Sequence, residues 1–235
     1  MQISNGTKEK PFAETLTKEQ VSRRNFLRAA GLIGAVAAVG ISSCEGDSSL
    51  TGDLSGINLG SGDVGVLNYA FALEQLEAAF YQKVTDSPYS GITAPETVYF
   101  QEIRDHEIAH REFFRRALGN NAIPDLTVNF ASINFSDRTS VLATAKAFED
   151  LGVSAYNGAG KLLTDPNNLL IAGKIVSVEA RHAALIRDLI SNGSFADNTV
   201  VDANGLDVSR TPGEVLQIAS AYLVSKLNAS NLPTS

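Results

Sequence analysis

Residues 107–110 read Glu-Ile-Ala-His and residues 179–182 read Glu-Ala-Arg-His, so one Glu-x-x-His spacing occurs twice in the chain. On a helix, side chains three residues apart share a face about one turn apart. A carboxylate and an imidazole in that arrangement can bind the same metal ion. The chain has three histidines, and two of them complete these motifs. Each motif alone is a weak signal, but the pair points to a shared metal site.

Capping signals place the two motifs on the second and fourth of four long helices. Asp63 is the expected N-cap of the first helix, and Thr93 begins a capping box at the second. Ser136 or Asp137 begins the third helix, and Asp165, directly before a proline, begins the fourth. The predicted spans are about 64–84, 94–118, 137–163 and 166–190.

The connections between these helices predict their arrangement. The loops from first to second and from third to fourth are short, which suits antiparallel neighbours, whereas residues 120–136 form a longer link. At about 3.3 Å per residue this link can travel the length of a ~25-residue helix. We therefore predict an all-α four-helix bundle with one long crossover between helices 2 and 3, along which residues 126–130 extend. A short C-terminal helix follows, from a capping box at Thr211 to about residue 227.

The first and third helices supply carboxylates that match each other. When residues 73–81 (LEQLEAAFY) are aligned with residues 148–156 (FEDLGVSAY) on their tyrosines, Glu74 falls on Glu149. The two hairpins therefore look like diverged repeats, each with a Glu followed by a Glu-x-x-His. Two such hairpins packed together would bring four glutamates and two histidines to one level of the core.

Several neighbours of the motifs have roles that the sequence leaves open. Glu77 is an alternative ligand on the first helix, but we favour the glutamate three residues earlier because Glu77 aligns with Gly152. Tyr81 and Tyr156 share faces with the glutamates of their helices. They either pack in the core with satisfied hydroxyls, or hydrogen-bond a ligand carboxylate or act locally in redox chemistry. His106 is predicted to be a polar neighbour of the site rather than a ligand.

These motifs resemble the ferritin-like superfamily of di-iron and di-manganese carboxylate proteins, over about residues 63–190. The phrases LNYAFALEQLEAAFY, HEIAH, FEDLGVSAYNGA and VEARHAALIR are most similar to an exported bacterial subgroup of ferritin-like domain proteins, some called desiccation-related. The resemblance implies a dinuclear site holding two Fe or Mn ions, with Glu107 and Glu179 as bridging carboxylates. The implied metal ligands are Glu74, Glu107, His110, Glu149, Glu179 and His182.

A redox function with a small oxidant fits this ligand set. Four carboxylates in an apolar bundle would repel one another or take up protons, and two divalent cations remove that conflict. Oxygen and imidazole ligands suit Fe or Mn. We expect O2 or peroxide as the reaction partner, with oxidation of the metals coupled to reduction of the oxidant. The alternative is a non-catalytic structural or stress protein of the cell envelope, so enzymatic activity stays open.

The N-terminal segment has the pattern of an export signal. Arg23 and Arg24 precede an apolar run, residues 29–41, that is shorter than the ~20 residues a spanning helix needs, and together they resemble a twin-arginine signal peptide. Residues 41–44 (ISSC) resemble a bacterial lipobox, in which the cysteine is lipidated and becomes the new N-terminus. We expect a signal peptide at 1–43, a lipidated Cys44, and a protein held outside the cytoplasm as a membrane-anchored lipoprotein of the periplasm or envelope. A flexible linker at 44–62, a bundle at 63–190 and a C-terminal loop and helix at 191–235 would follow.

The composition excludes several other classes of protein. The net charge of -7 argues against nucleic-acid binding and against electrostatic adhesion to anionic lipid, so the lipid would supply the membrane attachment. A single cysteine excludes an internal disulfide framework and a thiolate zinc site. The absence of tryptophan disfavours a platform for stacking sugars or bases. The sequence leaves the oligomeric state open, including a homo-oligomer.

Overall fold

The structure, a computed structural model, describes residues 55–234. Four long helices form a bundle: α1 (Gly62–Asp86), α2 (Ala94–Leu118), α3 (Arg138–Ala159) and α4 (Pro166–Ile190). α1 packs chiefly against α2 and α3 against α4, and the long crossover joins the two hairpins. The predicted all-α four-helix bundle is confirmed. In the part of the chain that the structure describes, no helix is long and apolar enough to cross a membrane.

Local capping explains where three of the four helices begin. Thr93 accepts a hydrogen bond from the backbone N–H of Glu96, whose carboxylate accepts one from the N–H of Thr93, so the predicted capping box is present. The side chains of Asp137 and Asp165 cap α3 and α4. α2 ends at Leu118, the predicted last residue, and Gly119, with φ of 54°, follows as its C-cap.

Asp63 does not cap α1, and this corrects the sequence prediction. The N-cap is Ser61, and Asp63 lies in the first turn of the helix. Its carboxylate instead accepts hydrogen bonds from the backbone N–H groups of Thr164 and Asp165 and from the side-chain amide of Asn168, at 2.8–3.0 Å. Burial acts to raise the pKa of Asp63, but these bonds outweigh it and lower the pKa to about 2. They tie the start of α1 to the loop between α3 and α4.

The C-terminal helix is shorter than predicted. α5 spans Pro212–Ala219 and ends before residue 227. Beyond it the chain extends along the crossover, where the N–H of Val224 donates to the carbonyl of Thr127 and the N–H of Asn129 donates to the carbonyl of Tyr222, each at 2.8 Å. These backbone bonds to the crossover take the place of helical bonds, which is why α5 ends early.

The segment before α1 is also better ordered than predicted. Residues 57–58 form β1 (Ile57–Asn58), which pairs in parallel with β2 (Leu227–Asn228), and Leu59 is fully buried. Residues 55–61, which the sequence analysis assigned to the flexible linker, therefore pack against the bundle because they carry apolar side chains and a strand partner. Residues 44–54 of the predicted linker, with Cys44, and the predicted signal peptide, with Arg23 and Arg24, lie outside the described residues.

A close backbone contact at Gly158 fixes the C-terminal segment against α3. A Cβ at this position would lie 1.7 Å from the carbonyl oxygen of Arg210, so no side chain fits without displacement of the backbone. Beside it, the N–H of Arg210 donates to the carbonyl of Ser154 at 3.0 Å and the Arg210 guanidinium donates to Ser154 Oγ at 2.7 Å. The glycine thus allows the segment to lie directly on the helix.

We predict that Gly158→Ala lowers the free energy of unfolding by about 2–3 kcal/mol, because the Arg210 backbone must move to admit the methyl group. Urea denaturation of the purified domain measures this. Gly173→Ala in α4 is the matched control, since nothing lies within 4 Å of the added Cβ. The control should gain about 0.5–1 kcal/mol of stability. Equal stability of Gly158→Ala and the wild type would contradict the role of the contact.

Candidate metal centre

The six predicted ligands meet at one level of the bundle core. Each helix contributes to the cluster, and α2 and α4 contribute both members of their Glu-x-x-His motifs. All four carboxylates are fully buried, His182 is 5% exposed, and His110 is partly exposed. The side chains that come together are Glu74, Glu107, His110, Glu149, Glu179 and His182.

These side chains form two overlapping groups. Within each group, one nitrogen or oxygen from every residue lies within 4.8 Å of the others, an arrangement that could hold a metal ion. The first group is Glu74, Glu107, His110 and Glu179, and the second is Glu107, Glu149, Glu179 and His182. Glu107 and Glu179 therefore belong to both groups, whereas the other four residues belong to one each.

The contacts of the two histidines repeat almost unchanged from one hairpin to the other. His110 Nδ1 lies 2.9 Å from Glu179 Oε1, and His182 Nδ1 lies 2.9 Å from Glu107 Oε1. Each imidazole lies 3.8 Å from the glutamate of its own motif. Of the glutamates in the cluster, each histidine is thus closest to the one in the Glu-x-x-His motif of the opposite hairpin. The near-twofold relation expected of diverged repeats is therefore present in the interatomic distances as well.

The two tyrosines cross between the hairpins. The hydroxyl of Tyr81 on α1 donates to Oε1 of Glu149 on α3, and the hydroxyl of Tyr156 on α3 donates to Oε1 of Glu74 on α1. The second oxygen of each glutamate then faces a histidine nitrogen at 3.4–3.5 Å. Of the roles left open by the sequence, the tyrosines therefore take the hydrogen bond to a glutamate, which fixes that carboxylate's orientation.

The inward-facing atoms of the cluster lack hydrogen bonds. Although some lie 2.9 Å apart, their angles are not those of a hydrogen bond. A buried polar atom without a partner is rare and costs stability, and eight at one point need a common explanation. A bound cation provides one, since all are atoms that ligate metals. The atoms are Glu74 Oε2, Glu149 Oε2, both carboxylate oxygens of Glu107 and of Glu179, and Nδ1 of His110 and of His182.

Burial and neighbouring charges shift the pKa values of the groups in the cluster. Burial, followed by the charge of Glu179, raises the pKa of Glu107 to about 8, and burial raises the pKa of Glu149 to about 7. For His182, burial acts in the opposite direction, but the nearby carboxylates outweigh it and raise the pKa to about 12. Positive charge is thus required among these carboxylates, whatever supplies it.

His106 supports one histidine and has no equivalent beside the other. His106 Nδ1 lies 3.0 Å from His182 Nε2, and the two nearly parallel rings meet edge to edge, with their centroids 5.2 Å apart and an interplanar angle of 9°. His106 is exposed to solvent and contributes an atom to neither group. Its predicted place as a polar neighbour of the site agrees with this geometry. The position of the repeat that corresponds to His106 is Val178, which has no ring nitrogen for His110.

Glu77 is buried near the cluster but joins neither group. Burial, followed by the charges of Glu179 and Glu107, raises the pKa of Glu77 well above its ordinary value. Its Oε1 lies 3.0 Å from where a Cβ on Gly152 would stand. Glu74, by contrast, contributes an atom to the first group. The close approach of the Glu77 carboxylate to Gly152 was not predicted, although the alignment of Glu77 with this glycine indicated that the two positions are related.

A family model described as a ferritin-like domain matches residues 62–192, more than half of the chain. The chain belongs to this family. A search of curated proteins with this chain found no match. The ferritin-like domain begins with α1 and ends two residues after α4, so it contains all six residues of the cluster and both tyrosines.

We predict that Mn²⁺ raises the thermal stability of the ferritin-like domain, because a cation that binds only the folded cluster satisfies its unpaired atoms. At a free metal concentration of about 100 times Kd the gain is about 2.7 kcal/mol, seen as a higher Tm in calorimetry. Glu107→Ala, which alters both groups, should lose this gain. Glu102→Ala, an exposed change on the same helix, should keep it. An equal gain in Glu107→Ala would show that the metal binds elsewhere.

Proposed function

We propose that this ferritin-like domain holds two Fe or Mn ions in a dinuclear centre and that O2 or peroxide oxidises them. The observation that carries the proposal is the membership of Glu107 and Glu179 in both groups of potential ligands. Each of these carboxylates has two buried oxygens without hydrogen bonds, one available to each ion. One further glutamate and one histidine complete each position.

The charge of the cluster supports two ions rather than one. Two divalent cations neutralise four ionised carboxylates and leave the histidines neutral, as metal ligation requires. A single divalent ion would leave buried carboxylates that must hold protons or stay unpaired. The donor set of carboxylate oxygens and imidazole nitrogens suits Fe or Mn.

The ions would supply the redox chemistry, and the protein holds their ligands in place. Held by these residues, two divalent ions would supply two electrons on oxidation to the +3 state, enough with two protons to reduce O2 to H2O2 or H2O2 to two waters. Tyr81 and Tyr156 keep Glu149 and Glu74 oriented, so that one oxygen of each faces inward. His106 contacts the outer nitrogen of His182 and holds that ring in one orientation.

Metal content after anaerobic reconstitution with Fe(II) tests the dinuclear centre. We expect about two ions per chain in the wild type, about one in Glu74→Ala or Glu149→Ala, and none in Glu107→Ala, because only the last change affects both positions. Glu102→Ala is again the control and should bind two. A wild type that binds one ion or none would overturn the proposal.

The same preparation decides between catalysis and a structural role. Loaded protein challenged with O2 or peroxide should consume one oxidant molecule for two metal ions, as followed by the metal spectrum. Loaded protein that stays reduced under both oxidants would favour the alternative, a non-catalytic stress or structural protein of the cell envelope.

We also propose that the protein is exported and anchored by a lipid on Cys44. The support is the sequence alone, namely Arg23 and Arg24, the apolar run and the lipobox pattern. In a bacterial host, the full chain should then fractionate with membranes and carry a mass increase at its N-terminal cysteine. Cys44→Ser should lose both. A membrane fraction unchanged by this substitution would rule out the lipid as anchor.

A further inference from the structure

A small apolar cavity, partly open at the surface, lies between the helices of the bundle near the candidate metal centre. Its volume is about 20 Å³, on the scale on which one water molecule takes about 10–15 Å³. It therefore has room for a single small molecule. The residues of its wall that matter here are Tyr69, Ala70, Phe114, Ala155, Tyr156 and Ala172.

The cavity adjoins the cluster on three helices. Ala70 lies one turn before Glu74 on α1, and Phe114 lies one turn after His110 on α2. Tyr156 on α3 links the two sites directly, because its ring lines the cavity and its hydroxyl donates to Glu74. A molecule in the cavity is thus next to the position formed by Glu74 and His110.

The internal repeat explains why the space exists. In the alignment of α1 with α3, Ala155 corresponds to Phe80, and in the alignment of the two Glu-x-x-His helices, Ala172 corresponds to Phe100. Phe80 and Phe100 are 0% and 1% exposed, so at the equivalent positions of the repeat aromatic rings fill the core. At these two positions the second hairpin has alanine where the first hairpin has phenylalanine. The space that the two rings would fill is left as the cavity.

The walls of the cavity offer few free hydrogen-bonding groups to a polar molecule. The hydroxyl of Tyr69 is buried and has no hydrogen-bond partner, so it is one free donor. The hydroxyl of Tyr156 is already bonded to a glutamate, and the side-chain amide of Asn168 donates to Asp63 at 2.9 Å. A buried water needs two to four polar partners, and hydrogen peroxide has two hydroxyl groups to satisfy. A nonpolar diatomic that accepts one weak hydrogen bond fits best.

We propose that this cavity binds dioxygen and delivers it to the metal centre. Dioxygen, rather than peroxide, is then the oxidant that reaches the metals by this route. The proposal rests on the proposed dinuclear function for its last step. Binding of dioxygen in the cavity does not need the metal. The two parts can therefore be tested apart.

Dioxygen is paramagnetic and serves as its own probe in the metal-free protein. Under dioxygen pressure, the methyl protons of Ala70 and Ala155 should relax several times faster than the methyl of Ala145. Ala145 is the repeat counterpart of Ala70 and is fully buried. Ala172→Phe should remove the difference at Ala70, because it restores the ring found in the repeat. Equal relaxation at Ala70 and Ala145 in the wild type would overturn the proposal.

Kinetics of the Fe(II)-loaded protein test delivery. Ala172→Phe should slow oxidation by dioxygen about tenfold and leave oxidation by peroxide unchanged. Ala143→Phe, an exposed change on α3, should affect neither. If Ala172→Phe does not fold, Ala172→Leu fills part of the same space. An unchanged rate with dioxygen, or equal slowing with both oxidants, would refute delivery through the cavity. A protein that binds no Fe(II) would defeat the dinuclear function, while the relaxation experiment would still decide whether dioxygen binds.

Discussion

The burial of four carboxylates in an apolar core is the constraint on which the rest of the structure depends. A single ionised carboxylate in such surroundings is costly unless it is paired, and four close together add mutual repulsion. The bundle meets this cost with two imidazoles, two tyrosine hydroxyls and a geometry open to cations. Because every helix carries at least one of these groups, the register of all four helices is fixed at the same level of the core.

The two hairpins keep this register by different means. On the second hairpin, Arg187 is buried and donates through two nitrogens to the carboxylate of Asp150, at 2.7–2.8 Å, which joins α4 to α3 next to Glu149. The corresponding residues of the first hairpin are Arg115 and Gln75. They bind the crossover instead, since Arg115 donates to Asp125 and Gln75 accepts from the N–H of Leu126. The divergence of the repeat at this pair thus gives the crossover its attachment.

Much of the fold and the candidate site could be predicted because the signals are local. Capping residues such as Thr93 and Asp165 act within one turn, and the Glu-x-x-His spacing places two side chains on one helix face. The misplaced features depend on contacts between distant segments. Asp63 binds a loop about a hundred residues away, and the end of α5 is set by backbone bonds to the crossover. Neither partner can be recognised from the residues next to it in sequence.

The nitrogen contact between His106 and His182 has a further consequence for a cluster built from repeats. One of the two groups of the cluster contacts the exposed His106 through His182, and the other lies near an apolar pocket. The nearly symmetric cluster therefore has a polar, solvent-exposed neighbour on one side and an apolar pocket on the other. In the proposed function, protons would then arrive by way of His106 and dioxygen by way of the pocket, so that the two would not share one passage.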